Sequence, residues 1–413
     1  MDSGGGRRGR DLPEGLGENA MRTTRLARHG LSRIAGGRPG RRALVSARSV
    51  RLAVCLAGVG LIAAGQTIAA ARDESLDHGE GGGHSGVTVM TRNMDEGTDF
   101  GYLVGPHALP FAQAAPLTYQ EVVQSGIPQR AAAVADEIAT TRPDLVALQE
   151  AARWQGPSLT QPGATLTLDA LASLESRLAA DGAPYHEVAV VPEMAIAASL
   201  GPGATVSFLD RDVILARDAS SDEDGGLRTA NVQTGHFAVQ LSVTIPGVGP
   251  ISITRGWASV DLSRDDQRAR FIATHLESIA QPIQAAQAQE LASGPAATRL
   301  PVILAGDFNT GPNVNPPPVG TTMLATYTTL TTTDHFVDSW AAVHPHLPGF
   351  TDSLYTEDPF TLATPTERID LVLVRGRARP VRAQQVGTSM VGALFPSDHI
   401  GVVARVAVGG SDD

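Results

Sequence analysis

From residue 87 onward, short apolar runs alternate with polar breaks, whereas the first 50 residues show no apolar period. Strands are predicted at 87–91, 144–149, 185–191, 206–216, 237–245, 251–254, 271–274, 302–305, 371–374 and 401–408. In Phe237-Ala238-Val239-Gln240-Leu241-Ser242-Val243 the two-residue period of a half-buried strand is explicit. Helical spacing appears between some of these runs. Ile127, Val134 and Ile138 share one face of a segment that continues to Thr140 and that Pro143 ends. Leu168, Leu171 and Leu178 predict a second helix, 284–291 a third, and 323–330 a fourth despite its threonines. Many strands with a few interspersed helices predict an α+β domain in which two sheets pack face to face under outer helices.

The chain ahead of this domain reads differently. Residues 1–51 are rich in Gly, Arg and Ser and are expected to be disordered. An apolar run at 52–65 follows Arg48 and Arg51 and leads to Ala69-Ala70-Ala71, the anatomy of a secretory signal. Arg41-Arg42-Ala43-Leu44-Val45 looks like a twin-arginine export motif, but it stands far from that run. Residues 52–71 also approach the length of about 20 that spans a bilayer, so a signal anchor competes with a cleaved signal. Either way the Arg excess holds the N-terminus inside. The body is therefore expected to be secreted, periplasmic or otherwise extracytoplasmic, or anchored by 52–71. Residues 72–86 form a Gly-rich linker, 87–408 the domain, and 409–413 a tail.

Charge sharpens the contrast. Residues 1–71 hold twelve Arg against four acids, a net of +8, and the remainder holds 20 Arg against 39 acids, a net of −19. A body that acidic repels polyanions at long range, which argues against broad nucleic-acid binding through a basic surface. Attraction through a bound cation stays open. The single cysteine, Cys55, lies in the apolar run, so the body has no thiol and no disulfide.

Candidate chemistry sits at strand ends. Asn93 follows 87–91, Glu150 follows 145–149, His275 follows 271–274, and Asp307 and Asn309 follow 302–306. Asp370 opens 371–374, and Asp398-His399 precedes 401–408. Each position has an ordinary reading. Asn93 would be a turn residue, Glu150 a cap, and Asp307-Phe308-Asn309 an Asx turn that Gly306 and Gly311 permit. His275 would be a half-buried histidine and Asp398-His399 a surface loop. These readings leave the recurrence at one topology unexplained, and strand ends gathered at one sheet edge are rigid mounts for a site.

The steps Asn93, Gln149-Glu150, Thr274-His275, Gly306-Asp307-Phe308-Asn309, Arg368-Ile369-Asp370 and Ser397-Asp398-His399 occur in a family order. The chain resembles the endonuclease/exonuclease/phosphatase superfamily, in particular members related to deoxyribonuclease I, over about residues 87–408. The resemblance implies a four-layer αββα sandwich, two packed mixed β-sheets flanked by helices, with the site at one edge. It also implies Mg²⁺ or Mn²⁺ as cofactor, with Glu150 the main ligand and Asn93 and Asp398 assisting, which suits the oxygen preference of a hard cation. In the implied catalytic set, Asp307 orients or deprotonates water and Asn309 positions it or a phosphate oxygen. His399, oriented by Asp370, competes for the role of general base. His275 stabilises phosphoryl oxygens or protonates the leaving group, a feature similar to deoxyribonucleases, sphingomyelinases and inositol-polyphosphate phosphatases. Two departures matter. The Lys that closely follows the metal Glu in abasic-site nucleases is replaced by Ala151-Ala152-Arg153-Trp154, and the Trp-Cys-Asp-Arg core of inositol phosphatases is absent. Arg153, Trp154, Arg255 and Trp257 are candidate substrate contacts, but are read first as packing or solvated surface.

The expected function is an exported, metal-dependent phosphodiesterase acting on nucleic acid or a phospholipid head group. A phosphomonoesterase is the alternative. A non-catalytic binding protein would be marked by loss of Glu150, Asp307 or His399, and all three are present. Expected partners are a phosphoester substrate (nucleic acid, phospholipid or small phosphodiester) and a membrane if 52–71 is uncleaved. The expected state is a monomer.

Overall fold

The computed structural model describes residues 86–104, 108–218, 226–245, 248–312, 324–357 and 360–409. The regions expected to be disordered (1–51) and signal or anchor (52–71) lie outside the described residues, as do all of the linker but Gly86 and all of the tail (409–413) but Gly409. Among the described residues, no helix is long and apolar enough to cross a membrane.

In chain order the elements begin with β1 (Val87–Asn93), α1 (Phe111–Gln124), α2 (Ile127–Thr141), β2 (Leu145–Gln149), β3 (Arg153–Pro157), β4 (Thr165–Asp169) and α3 (Ala170–Ala180). There follow β5 (Tyr185–Gly201), β6 (Ala204–Arg217), β7 (Arg228–His236), β8 (Leu241–Ile245), β9 (Gly249–Ile253), β10 (Gly256–Arg264), β11 (Gln267–His275), α4 (Gln281–Ser293) and β12 (Val302–Asp307). The remainder carries α5 (Leu324–Thr328), β13 (Val337–Asp338), α6 (Ser339–Val343), β14 (Tyr355–Glu357), β15 (Phe360–Leu362), β16 (Asp370–Arg375), β17 (Ala378–Val386) and β18 (Gly401–Val408).

One sheet runs β17-β18-β1-β2-β6-β3-β4 with β5 also on β6, and the other runs β13-β16-β12-β11-β10-β7. Both are mixed: β1 and β2 are parallel, as are β11 and β12, among antiparallel neighbours. Side chains alternate between faces along each strand. Val87, Val89, Leu145, Ala147, Ile214, Val402 and Ala404 of the first sheet therefore meet Val260, Phe271, Ala273, Ile303, Ala305, Val372 and Val374 of the second in a dry inter-sheet core. On the outer face of the first sheet, Met90, Val146 and Leu148 pack with Val134 and Ile138 of α2 and Leu171 and Leu174 of α3. On the outer face of the second, Ile272, Leu304 and Leu371 pack with Leu291 of α4 and with Leu330 and Phe336. Helices, sheet, sheet, helices: the fold is the αββα sandwich.

Several predicted boundaries shift for local reasons. Leu168 is not helical but lies in β4; the helix starts after Asp169, whose carboxylate caps the Ala172 N–H at 3.2 Å. The run 237–245 is not one strand. Its first residues form a bend, because the Gln240 side chain bonds the carbonyls of Phe237 and Arg255 (2.9 and 2.7 Å) and the Arg255 N–H (2.8 Å). Only β8 remains, paired with β9. The helix predicted over 323–330 is the short α5 followed by a π-turn at Thr329–Thr333, within which Thr331 and Thr332 bond back to the carbonyls of Tyr327 and Thr328.

Candidate active site

The period of two that builds the inter-sheet core also builds the site. In β12, Ile303 and Ala305 face the core and Asp307 is next in that series; in β11 it is Phe271, Ala273 and then His275; in β16, Val374, Val372 and then Asp370. Register aligns the three: His275 pairs with Asp307 across the parallel ladder and Asp307 with Asp370 across the antiparallel one. In the first sheet Val87 and Val89 lead by the same parity to Asn93, whose partner is Gln149, just before Glu150. The apolar core thus ends, at one edge, in a row of polar residues. Gly306 permits the closeness, since a Cβ there would lie 2.0 Å from the Thr274 carbonyl oxygen.

The side chains converge. Asn93 Nδ2 donates to Glu150 Oε1 at 2.9 Å and to Asp307 Oδ2 at 3.2 Å, and its Oδ1 accepts from the Asp95 N–H at 2.9 Å. Glu150 Oε2 accepts from the Glu96 N–H at 3.1 Å. Asp307 divides its oxygens. Oδ1 accepts from the Asn309 N–H at 2.9 Å, which is the Asx turn, while Oδ2 lies 3.4 Å from His275 Nε2 and 3.9 Å from His399 Nε2. Asn309 Nδ2 lies 3.2 Å from His275 Nε2 and donates to the Leu276 carbonyl at 3.0 Å. His399 Nδ1 is 2.8 Å from Asp370 Oδ2. Glu150 and Asn309 both hold positive φ, 54° and 48°, a costly conformation that the surrounding hydrogen bonds maintain.

Ligand-type atoms of Glu150, His275 and Asp307 lie within 4.8 Å of one another, as do those of Asp307, Asp370 and His399. Asp398 gathers instead with Asp352 and His399. Every residue singled out for chemistry is thereby linked into one cluster, with Asp398 on the His399 side of it rather than against Glu150.

Burial and neighbouring charges tune these groups. Burial opposes ionisation of Asp307, but His275 and His399 outweigh it and hold the carboxyl well below the usual range. Burial likewise disfavours the His399 imidazolium, yet Asp370, Asp398 and Asp307 raise its pKa well above the ordinary value. For His275, burial and Arg255 lower the pKa while Asp307 and Asp212 raise it, with a net upward shift.

Further residues belong to this region, one of them, Arg255, a candidate substrate contact read first as packing or solvated surface. Arg255 Nη1 lies 2.9 Å from His275 Nδ1 and 3.5 Å from Asp210 Oδ2, so it is site structure rather than remote packing. Asp210 and Asp212 continue the inward face of β6 beyond Ile214, and Glu193 is buried nearby; among the described residues neither carboxylate oxygen of Asp212 has a hydrogen-bond partner. Two acids spaced by two inside an apolar strand run were the signal available in sequence; Asp352 offered none. The other candidates are elsewhere. Arg153 is exposed and pairs with Asp169 at 3.6 Å, Trp154 packs against Phe208 and Phe100, and Trp257 covers Gly235.

Asp212 yields a pH-dependent test. Burial pushes its carboxyl up to about 8, with His275 and Arg255 opposing and Asp210 adding. Unfolded, it titrates near about 4. Between these values the folded chain keeps a proton that the unfolded chain has lost, so this group's contribution to stability falls as pH rises from about 4 to about 8. Asp212→Asn is expected to raise the unfolding free energy by on the order of 5 kcal/mol at pH 8 and to change it little at pH 4, in urea titrations. A gain equal at both pH values would refute the titration account.

A model of the Endonuclease/Exonuclease/phosphatase family matches residues 123–399, the span that carries every site residue from Glu150 to His399. No curated protein matches the chain. Among solved structures, an endonuclease/exonuclease/phosphatase from Beutenbergia cavernae DSM 12333 is 22% identical, with 79% of this chain and 72% of that chain covered and a TM-score of 0.47. An endonuclease/exonuclease/phosphatase family protein from Leptotrichia buccalis C-1013-b is 14% identical, covering 78% and 99% at a TM-score of 0.49. Truncated Caenorhabditis elegans TDP2 is 17% identical, covering 78% and 97% at 0.44. With the family match extending over more than half of the sequence, this chain belongs to the endonuclease/exonuclease/phosphatase family and is a phosphoester hydrolase.

Proposed function

We propose that this protein is an exported phosphodiesterase that uses Mg²⁺ or Mn²⁺ to direct water onto the phosphorus of a diester from nucleic acid or a phospholipid head group. The observation that carries the reading is the convergence of Glu150, His275 and Asp307 within 4.8 Å beside the His399–Asp370 pair. The donor set suits a hard cation: carboxylate oxygens dominate it, and Glu150 is half-buried rather than sealed. Glu150 would hold the ion, with Asp398 and Asp352 supplying carboxylates on the His399 side. Asn93 assists by orienting Glu150 through its amide N–H, since its oxygen is engaged by Asp95. When bound, the cation polarises a phosphoryl oxygen and offsets negative charge in the transition state.

The chain's own groups do the rest. Asp307, kept ionised by two imidazoles, is a weak base and a good orienter of water. His399, held through Nδ1 by Asp370, presents Nε2 to the water and accepts its proton in the neutral form, a form that the surrounding carboxylates confine to higher pH. Asn309 fixes the water or a phosphate oxygen, and His275 faces the phosphoryl oxygens or leaving group. The acidic body favours a substrate recruited at the metal over one held along a basic groove. Export is supported by the basic stretch, apolar run and small residues between Arg41 and Ala71.

The purified protein is expected to hydrolyse bis(p-nitrophenyl) phosphate with Mg²⁺ or Mn²⁺, to lose turnover in EDTA and to regain it when metal is restored. His399→Ala should remove turnover without unfolding the domain. Full activity in EDTA, or in that variant, would overturn the reading. Plasmid DNA, RNA, sphingomyelin and phosphomonoesters compared side by side then identify the substrate class.

A further inference from the structure

Trp154 stands outside the hydrogen-bonded cluster yet is tied to it. Its Nε1 donates to the Glu96 carbonyl at 2.8 Å, and the Glu96 N–H donates to Glu150 Oε2 at 3.1 Å. With Phe208 at 4.3 Å and Phe100 at 6.2 Å between ring centroids, its ring walls an apolar slot on the helix-facing side of the first sheet. We propose that this slot takes the hydrocarbon chain of the substrate, so that the diester cleaved at the neighbouring site is a long-chain phospholipid rather than a nucleic acid. The proposal deepens the phosphodiesterase reading and rests on it.

The lining decides the chemistry. β5 contributes Ile196 and Ala198, β9 contributes Ile251, and among the described residues no charged side chain lines the slot. A nucleotide would bring a phosphate anion and the polar edge of a base to walls that offer no cation to meet them. The Thr118 hydroxyl, also in the lining, is buried and has no hydrogen-bond partner among the described residues. Such an orphan is costly in apolar surroundings, and the ester, amide or hydroxyl at the head of a lipid chain supplies its partner. Size excludes the alternative. The slot encloses about 70 Å³. A buried benzene ring needs roughly 150 Å³, and a methylene takes about the volume of a water molecule, ~30 Å³, so about two or three methylenes fit and a nucleobase does not.

The slot is open to solvent rather than sealed core. Val248, at the turn between β8 and β9, lines it and is 48% exposed, and Phe100, Ile196 and Ile251 are half-buried. The β8–β9 hairpin is laddered to neither large sheet, so side-chain packing rather than a strand ladder holds this side of the slot. Trp154 follows Glu150 by four residues, at most about 14 Å of extended chain, a span that a dodecyl chain covers. The acidic body repels a polyanion at long range and leaves a zwitterionic lipid unopposed.

Two arms separate this proposal from the reading it rests on. In the first, the full chain with Mg²⁺ is given p-nitrophenyl phosphodiesters carrying a methyl, hexyl or dodecyl group, each below its micelle concentration. Water's oxygen bonds phosphorus, the bond to the p-nitrophenyl oxygen breaks, and alkyl phosphate and p-nitrophenol are released. Each methylene that enters the slot should raise kcat/KM roughly threefold to fourfold, so the dodecyl ester should exceed the methyl ester by at least about tenfold. That ratio should fall below about threefold in Ile251→Asp, which charges the half-buried hairpin wall, and in Ala198→Phe, which fills the slot from β5. Because the ratio is taken within each protein, a general loss of activity does not imitate the effect. In the second arm, in EDTA and without turnover, 12-bromododecylphosphocholine should quench the emission of Trp154, one of three tryptophans, while a bromoethyl analogue should not. Trp154→Phe and Ala198→Phe should each remove that quenching. A wild-type ratio near one, no quenching of the wild type, or plasmid DNA hydrolysed faster than the dodecyl diester would overturn the proposal. If no diester is hydrolysed, the phosphodiesterase reading fails, and the quenching still decides whether the slot takes a chain.

Discussion

Asp307→Asn is expected to lower kcat/KM for diester hydrolysis by roughly 10²–10⁴-fold while the domain stays folded. The substitution is isosteric, and the asparagine oxygen can still accept the Asn309 N–H that closes the Asx turn. Its NH₂ group, however, occupies the place of Oδ2, where the Asn93 amide at 3.2 Å and His275 Nε2 at 3.4 Å supply donors. Donors then meet a donor, the negative charge that orients water disappears, and both imidazoles lose the anion that favours their charged forms. The structural cost is confined to the rim of the core, about 1–3 kcal/mol for unsatisfied polar groups. Steady-state kinetics and urea unfolding of the same preparation test both halves. Retention of more than a tenth of wild-type activity would remove Asp307 from the reaction.

Arg92→Met should be the most damaging single change to stability, about 3–5 kcal/mol, because it breaks a buried ion pair from one side. Arg92 is 0% exposed on the helix-facing side of β1. Nε and Nη2 bond the two Glu137 oxygens at 2.9 and 3.1 Å, and Nη1 bonds the His399 carbonyl at 2.6 Å. The strands leave room for it: a Cβ at Gly387 would come within 2.4 Å of the guanidinium, and one at Gly401 within 2.7 Å of Cδ. Without Arg92, burial and the Asp136 charge act unopposed on Glu137 and push its already raised pKa further. The His399 carbonyl also loses its donor, so the damage reaches the catalytic ring. Denaturant titration should show most of the loss recovered in Arg92→Met/Glu137→Leu, which removes the stranded carboxylate. A single-variant cost under about 1 kcal/mol would contradict this account.

Which strands were legible follows from where they lie. The central strands β2, β12 and β16 are buried on both faces, so apolar residues fill most positions and the run stands out. β7 and β17 lie at sheet edges and are mostly exposed or half-exposed, so residues such as those of Arg228–His236 carry little apolar pattern. α1 escaped notice because it contains Pro116. The site divides in the same way. Asn93, Glu150, His275 and Asp307 were conspicuous as polar residues closing apolar runs, and Asp370 as one opening a run. Asp352 was hidden in a loop, and Arg255, named but read first as packing or solvated surface, stands in a connection whose conformation depends on the Gln240 side chain.

Local period and residue identity are enough to place the core strands, the polar residues at their ends and the family to which the order of those residues belongs. Tertiary structure alone decided which oxygen of Asp307 closes a turn and which faces the imidazoles, that Asp398 sides with His399, and that a guanidinium lies behind one histidine and a carboxylate behind the other. Those outcomes depend on register and on partners far apart in the chain. Residue identity specifies what a group can donate or accept, and only the packed sheets specify what it meets.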